Sequence, residues 1–380
     1  MKKYVLLFFI VYFAVSCIVF SCSKKIELQE TNEIFSISHD YKPNKTLLLN
    51  QEDDILCIAY YKNTDKRIEI INLINKEKKV IRLPEHVSGQ HLLSVDPDSV
   101  YLYDNISCEI HLITPMGNVR TINLLSVIKQ NNIRFYPPSQ IYHNALYISG
   151  YNFNQNKTID NNIASETKIL KEIMQNERIF IFNNLFTDSI YANQILSNFV
   201  NSEIVKINDF TSTDFLKIKI FKNAIISFHA NSNLLFVFDK ASGKIVNKIK
   251  MISDYSSLKA PLVHLYNSEK EKESFIKQRQ ESNFLNGVIY NIIFDEYRNL
   301  YYVTTLLPNK DFHYLNNLTF ERDWSLIVLN KDFDKVGEFL FDGAKFDFRI
   351  IHPIKEGILI ENKNIINGNE KSEFILFKVY

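Results

Sequence analysis

Apolar and polar residues alternate with a period of two in short runs, the pattern of strands that bury one or both faces. The runs fall into six groups. Residues 54–61, 67–73 and 79–83 form the first; 99–104, 109–114 and 118–124 the second; 144–149, 178–182 and 188–192 the third. The fourth comprises 224–229, 234–239 and 244–250, the fifth 288–295, 299–306, 325–330 and 335–341, and the sixth 345–350, 357–361 and 373–379. Short polar segments join neighbouring runs, so each group reads as an antiparallel meander. A spacing of about 40 to 60 residues per group is that of propeller blades.

The connections carry turn chemistry. Pro115-Met116-Gly117 combines a preset φ with a residue that accepts positive φ. Asp239-Lys240-Ala241-Ser242-Gly243 and Asn330-Lys331-Asp332-Phe333-Asp334 each follow an apolar strand with an Asp or Asn. Such side chains hydrogen-bond the backbone two residues on, so these carboxylates are read as turn formers rather than as calcium ligands or catalytic acids.

Two stretches break the β rhythm. Residues 160–177 place Ile163, Ile169, Leu170, Ile173 and Met174 on one helical face, and in 267–283 Ser268 with Glu271 forms a capping box. Both read as short helical insertions at one rim. A ring of sheets must also join its end to its beginning, and residues 34–50 are expected to supply a strand to the sheet containing 373–379, hiding two edges. The expected fold is an all-β, six-bladed β-propeller over residues 34–380, with seven blades as the alternative.

The N-terminus follows a different pattern. Lys2 and Lys3 precede an apolar run from Tyr4 to Phe20, which is a secretory signal. Val19-Phe20-Ser21-Cys22 has the form of a lipobox, with an aliphatic residue three places before the cysteine and a small one just before it. Residues 1–21 are therefore expected to be removed, Cys22 to carry lipid, and 22–33 to be a polar tether. Two or more acyl chains anchor firmly, at about 0.8 kcal/mol per buried CH2. The membrane, reached through Cys22, is the expected partner, and because Lys24 and Lys25 rather than acids follow the cysteine, the periplasmic face of an outer membrane is the expected location.

Charge and composition narrow the classes. The net charge is +1, and −1 once Lys2 and Lys3 leave, with both signs interspersed, so nothing favours nucleic acid. Nine Gly and 9 Pro against 20 Tyr and 29 Phe describe an aromatic globule and not a disordered chain. Of 4 cysteines, only Cys57 and Cys108 belong to the folded part. Free buried thiols and a disulfide both fit, and neither cysteine has metal-site spacing.

Residues 291–302, Asn-Ile-Ile-Phe-Asp-Glu-Tyr-Arg-Asn-Leu-Tyr-Tyr, and the stretch from Trp324 to Glu338 resemble the uncharacterised propeller-like lipoproteins of the Bacteroidetes type. Members often carry Arg where this chain has Val303. The resemblance implies a lipobox, a tether and an all-β domain, and brings no catalytic residues with it.

No chemistry-bearing motif stands out. His86 and His91 are five apart with no carboxylate joining them in a recognisable motif, and there is neither a His-Glu-x-x-His nor a Gly-x-Ser-x-Gly sequence. No cofactor or metal is expected. The candidates for contacting a ligand, a glycan or a protein, are Arg298, Tyr301, Trp324 and His229, chosen for their chemistry at strand ends and turns. The sequence thus favours a binding or scaffold module. The rival is an envelope enzyme acting on glycan or peptide in the central pocket, which would gather carboxylates and His at one mouth.

Overall fold

The computed structural model describes residues 26–380 except 39–45, 49–56, 153–176, 186–190, 197–209, 212–215, 310–321, 364–370 and several shorter gaps. The protein is a β-propeller. Five four-stranded antiparallel sheets are each built from consecutive strands. Sheet I comprises β2 (Thr46–Leu48), β3 (Cys57–Lys62), β4 (Arg67–Asn72) and β5 (Lys78–Arg82). Sheet II comprises β6 (His91–Asp96), β7 (Ser99–Asp104), β8 (Glu109–Ile113) and β9 (Val119–Asn123). Sheet III contains β10 (Ile133–Tyr142), β11 (Ala145–Asn152), β12 (Glu177–Asn183) and β13 (Tyr191–Leu196).

The strands β14 (Phe210–Thr211) and β19 (Val263–His264) pair in a separate ribbon. Sheet IV is formed by β15 (Leu216–Ile220), β16 (Ala224–His229), β17 (Leu234–Asp239) and β18 (Ile245–Lys250). Sheet V is formed by β20 (Val288–Asp295), β21 (Leu300–Leu306), β22 (Trp324–Leu329) and β23 (Lys335–Phe341). Sheet VI is different. It combines β24 (Phe346–Ile354), β25 (Gly357–Asn362) and β26 (Lys371–Val379) with β1 (Leu28–Ser38) from the other end of the chain.

Burial explains the order within a sheet. The middle strands β16 and β22 are buried along their whole length, whereas the fourth strand β18 is almost wholly exposed. Alternate residues of a middle strand serve opposite seams: Trp324, Leu326 and Val328 pack toward sheet VI, Ile327 and Leu329 toward sheet IV. That double burial is why these strands read as continuous apolar runs. Apolar clusters fill the seams I/II, II/III, III/IV, IV/V and V/VI. A further one joins Ile71 of sheet I to Ile354, Leu359, Phe374 and Leu376 of sheet VI.

The expected closure is present but begins earlier. β1 pairs with β26 from Leu28↔Val379 to Ser38↔Lys371, and Glu27 already exchanges backbone hydrogen bonds with Tyr380. The polar tether expected over 22–33 is therefore cut short at its C-terminal end. Gln29, Glu30, Thr31, Asn32 and Glu33 are polar because an outermost strand keeps one face in water, not because they are unstructured. Residues 46–48, expected in the closing strand, instead form β2 of sheet I. A seventh four-stranded sheet does not occur among the described residues.

Two helices are described. The short α1 (Leu125–Asn131) follows β9, its first turn started by the Asn123 side chain accepting from the Leu125 N–H at 2.8 Å. The long α2 (Glu269–Leu285) matches the capping-box expectation, with Ser268 at the N-cap accepting from the Glu271 N–H. The other expected helix, over 160–177, lies outside the described residues apart from Glu177, which opens β12.

Candidate functional site

The strand that starts each sheet, or β24 in sheet VI, is taken as the innermost of its sheet, since β2 packs on β6, β6 on β10, β10 on β15 and β20 on β24. Four of these strands are irregular. The register shifts between Leu92 and Ser94 in β6, Tyr136 and Gln140 in β10, Ile289 and Asn291 in β20, and Phe346 and Ile351 in β24. A bulge frees residues from the ladder and re-aims their side chains, and bulges concentrate at functional rims. In β20 the freed residue is Tyr290; in β24 the freed segment contains Asp347, Phe348 and Arg349.

These freed residues meet one another and β15. The Tyr290 ring stands edge-on to Phe348 with centroids 4.7 Å apart, and Lys217 of β15 lies 5.3 Å over the Tyr290 ring. Lys363, just past β25, lies 5.8 Å from the Phe348 centroid and donates to the Gly343 carbonyl at 2.6 Å. Arg349 Nε donates to both oxygens of buried Asp347, at 2.9 and 3.1 Å. Burial raises the Asp347 pKa, but these bonds outweigh it and hold the carboxyl below its ordinary value. Burial pushes the Tyr290 hydroxyl up.

The cluster has a definite place along the axis. Lys217, Tyr290 and Asp347 to Arg349 all lie within the first four residues of their strands. The chain enters each inner strand from the preceding outer strand, so these ends share one face of the ring. The segment before β15 contributes β14, and the segment before β20 contributes β19 and α2. Pairing of β14 with β19 therefore puts both insertions at the mouth where the cluster sits. Of the two helical insertions expected at one rim, only that over 267–283 falls within the described residues.

The residues proposed from sequence lie elsewhere. Arg298 does not reach into a channel. It follows β20 in a tight turn, pairs with Asp295 at 2.9 Å, and donates to the Ile354 and Lys355 carbonyls of sheet VI at 2.9 and 2.6 Å. Asp295 is fully buried and also accepts from Tyr302 Oη at 2.8 Å and from the Tyr297 and Arg298 N–H groups. The group is a staple between sheets V and VI. Trp324 is 0 % exposed, stacked on Phe341 at 4.1 Å with its indole N–H donating to the Phe346 carbonyl, so it presents no face to a ligand.

Tyr301 belongs to an aromatic group with Phe221, Phe294 and Phe333, and burial raises its hydroxyl pKa. His229 is buried at the end of β16. The four do not converge. Cys22 lies outside the described residues, and Cys108, half-buried at a turn position with φ 57 rather than within a strand, forms no disulfide among the described residues. Among the described residues no three His, Cys, Asp or Glu side chains are grouped to hold a metal, and no helix is long and apolar enough to cross a membrane. Tyr290 and Arg349 were missed because bulges carry no signature in a single sequence. An open groove of about 470 Å³ lies away from the mouth, between Arg67, Val80 and Arg82 of sheet I and the Met116-Gly117 turn of sheet II.

No protein-family model matches the sequence, and no curated protein matches it. Among solved structures, a member of the DUF4221 family from Bacteroides vulgatus ATCC 8482 superposes with a TM-score of 0.69 at 16% identity, covering 94% of this chain and 99% of that one. The chain shares that protein's fold. The likeness agrees with the resemblance to uncharacterised Bacteroidetes-type propellers carried by residues 291–302 and 324–338. A putative exported protein from Bacteroides fragilis NCTC 9343 is similar at a TM-score of 0.47 and 9% identity, over 94% of this chain and 96% of that one. A streptogramin B lyase gives 0.43 and 8%, over 93% and 98%.

Proposed function

We propose that this is a lipid-anchored cell-envelope protein whose six-bladed propeller serves as a binding or scaffold module on the periplasmic face of the outer membrane. The observation that carries the binding reading is the mouth itself. Three successive inner strands bring Lys217, Tyr290, Asp347 and Arg349 together at the end where both insertions cross, and Asp347 is held by Arg349 rather than left available as an acid. Six four-stranded sheets with an apolar cluster at each seam support the count of six. The anchor rests on the lipobox at Cys22. Because β-pairing begins at Leu28 and Ile26 already donates to the Val336 carbonyl, the free tether shrinks to Ser23 to Lys25, about 10 Å at full extension. The propeller therefore works against the membrane surface.

Growth with radiolabelled palmitate tests the anchor. Wild type should incorporate label and fractionate with membranes, and Cys22→Ala should lose both while keeping its folded resistance to protease. A Cys22→Ala variant that remains labelled would overturn the anchor, and loss of the wild-type protein on mild protease shaving of intact cells would overturn the periplasmic assignment.

A further inference from the structure

We infer that the ring face opposite the mouth lies on the membrane, with Met116, Tyr297 and Tyr380 in the lipid headgroup layer and the mouth turned away from it. This rests on the lipid-anchor reading and gives the anchored domain its orientation. Antiparallel pairing fixes the face at which the chain enters. β24, β25, β26 and β1 pair in that order, each antiparallel to the one before, so β1 starts at the face where β24 finishes. β24 itself starts at the mouth. Ile26 and Glu27 therefore stand at the opposite face, with Ser23 to Lys25 between them and Cys22. There Ile26 donates to the Val336 carbonyl, and Glu27 exchanges backbone hydrogen bonds with Tyr380.

Length decides between the two faces. The inner strands β20 and β24, of 8 and 9 residues, pass through the ring. At about 3.3 Å per residue they measure roughly 25 Å from face to face. A domain lying mouth-down would hold Ile26 about that far from the lipid, whereas Ser23 to Lys25 reach about 10 Å at full extension. The face that carries Ile26 is within reach, and its described turns are short. Those over 72–77, 114–118, 239–244 and 330–334 are each closed by a backbone hydrogen bond of 2.9 or 3.0 Å. The long connections 251–287 and 307–323 leave instead from the mouth, where Arg322 joins them by donating to the Asn286 and Leu307 carbonyls.

The side chains of the flat face suit a lipid surface. Met116, in the 114–118 turn, is 88 % exposed, Tyr380 beside Glu27 is 64 % exposed, and Tyr297 is 40 % exposed. Tyrosine settles at the headgroup level, where its ring is sheltered and its hydroxyl stays wet. Charges alternate in the same turns, as in Lys76-Glu77, Lys331-Asp332 and Lys355-Glu356, so the contact calls for no anionic lipid. Exposed apolar side chains also occur elsewhere, Ile106 at the mouth and Ile34 on the outer edge, so it is the position of Ile26 that selects the face. An edge-on domain would press the exposed polar residues Gln29, Glu30, Asn32 and Glu33 of β1 against the lipid.

Tryptophan probes in the full-length lipoprotein, reconstituted into vesicles of phosphatidylcholine brominated on its acyl chains, test the orientation. Trp324 is the single native tryptophan and is buried, so its emission is a constant background. Met116→Trp should emit further to the blue in vesicles than in the soluble Cys22→Ala background and should lose emission to the bromine. Ile106→Trp and Ile34→Trp, at sites 81 % and 55 % exposed, should do neither. Should Met116→Trp not fold, a water-soluble acetylating reagent decides. Lys331 at the membrane face should react more slowly in vesicles than in soluble Cys22→Ala, and Lys270 of α2 at the same rate in both. Quenching of Ile106→Trp or Ile34→Trp in place of Met116→Trp, or equal reaction of Lys331 in both settings, would overturn the orientation. Protein that floats with the vesicles but shows no quenching at Met116→Trp would overturn it while leaving the anchor standing. A wild-type lipoprotein that does not float would overturn both.

Discussion

Single residues in this fold are often asked to do what glycine does elsewhere. With only 9 glycines in the chain, the left-handed turn positions fall to Lys66, Lys76, Cys108, Asn184, Asn299 and Phe333, with φ between 45 and 67. Asx side chains at Asn72, Asp104, Asp295 and Asn330 accept backbone N–H groups in the turns of Lys76, Cys108, Asn299 and Phe333 and offset the strain. That turn chemistry was legible in the sequence. What was not legible is that Asp295 would also be the buried centre of a staple, since nothing local to 295–298 announces the carbonyls of Ile354 and Lys355. A second residue-scale feature is His352 of β24, whose enclosed Nε2 has no hydrogen-bond partner among the described residues. Burial depresses its pKa to about 4. The unfolded chain takes up this proton below about 6.5, while the folded state resists until about 4, so the stability it contributes is complete above the window and declines as pH falls through it. The loss should reach about 3 kcal/mol at most. Urea unfolding at pH 7 and pH 4.5 should show a smaller decline for His352→Leu than for wild type, and equal declines would refute the assignment.

At the scale of elements, the second and third strands of each sheet were readable because they are buried on both faces and carry unbroken apolar runs, as in β16, β17 and β22. The innermost strands β6, β10 and β15 escaped notice, and the residues of β2 were assigned to the closing strand. β2 has three residues, β10 contains Pro137 and Pro138, and β6 and β10 are bulged, so these three show no clean period, while β15 alternates over only five residues. The mouth draws on β15 and on the starts of β20 and β24, whose runs were anticipated but whose register shifts were not. One consequence of the β10 bulge is open to test. Gln140, at its end, donates to the Ile220 carbonyl and accepts from the Ile220 N–H, both at 3.0 Å, so a side-chain amide acts as a ladder rung between sheets III and IV. Gln140→Ala leaves both groups of Ile220 unpaired and should cost about 1 to 3 kcal/mol in chemical denaturation. Gln140→Glu should cost at least as much, because a carboxylate accepts but cannot donate to the carbonyl. A Gln140→Glu variant as stable as wild type would show that the rung has no energetic weight.

For the molecule as a whole, the decisive element is the one that the sequence placed only approximately. Closure between the two ends of the chain was expected on general grounds, since an open ring leaves two edges, but the polarity of residues 29–33 disguised them as a tether. The structure gives β1 eleven residues, an ion pair from Lys345 to Glu30 at 2.8 Å, and a Thr31 hydroxyl donating to the Leu376 carbonyl where the register shifts. Surface ion pairs contribute little, so the weight falls on the ladder itself and on the apolar side chains it covers. Without β1, the backbone of β26 would lie open beside Phe374, Ile375, Leu376 and Phe377, an apolar unpaired strand of the kind that recruits other chains. Deleting residues 26–38 should therefore convert the protein into oligomers on size-exclusion chromatography and lower its thermal midpoint. A synthetic peptide of residues 28–38 added during refolding should restore the monomer, because it can pair with β26 in the same antiparallel register. A deletion variant that stays monomeric with an unchanged midpoint would mean that the ring holds through its apolar seams alone.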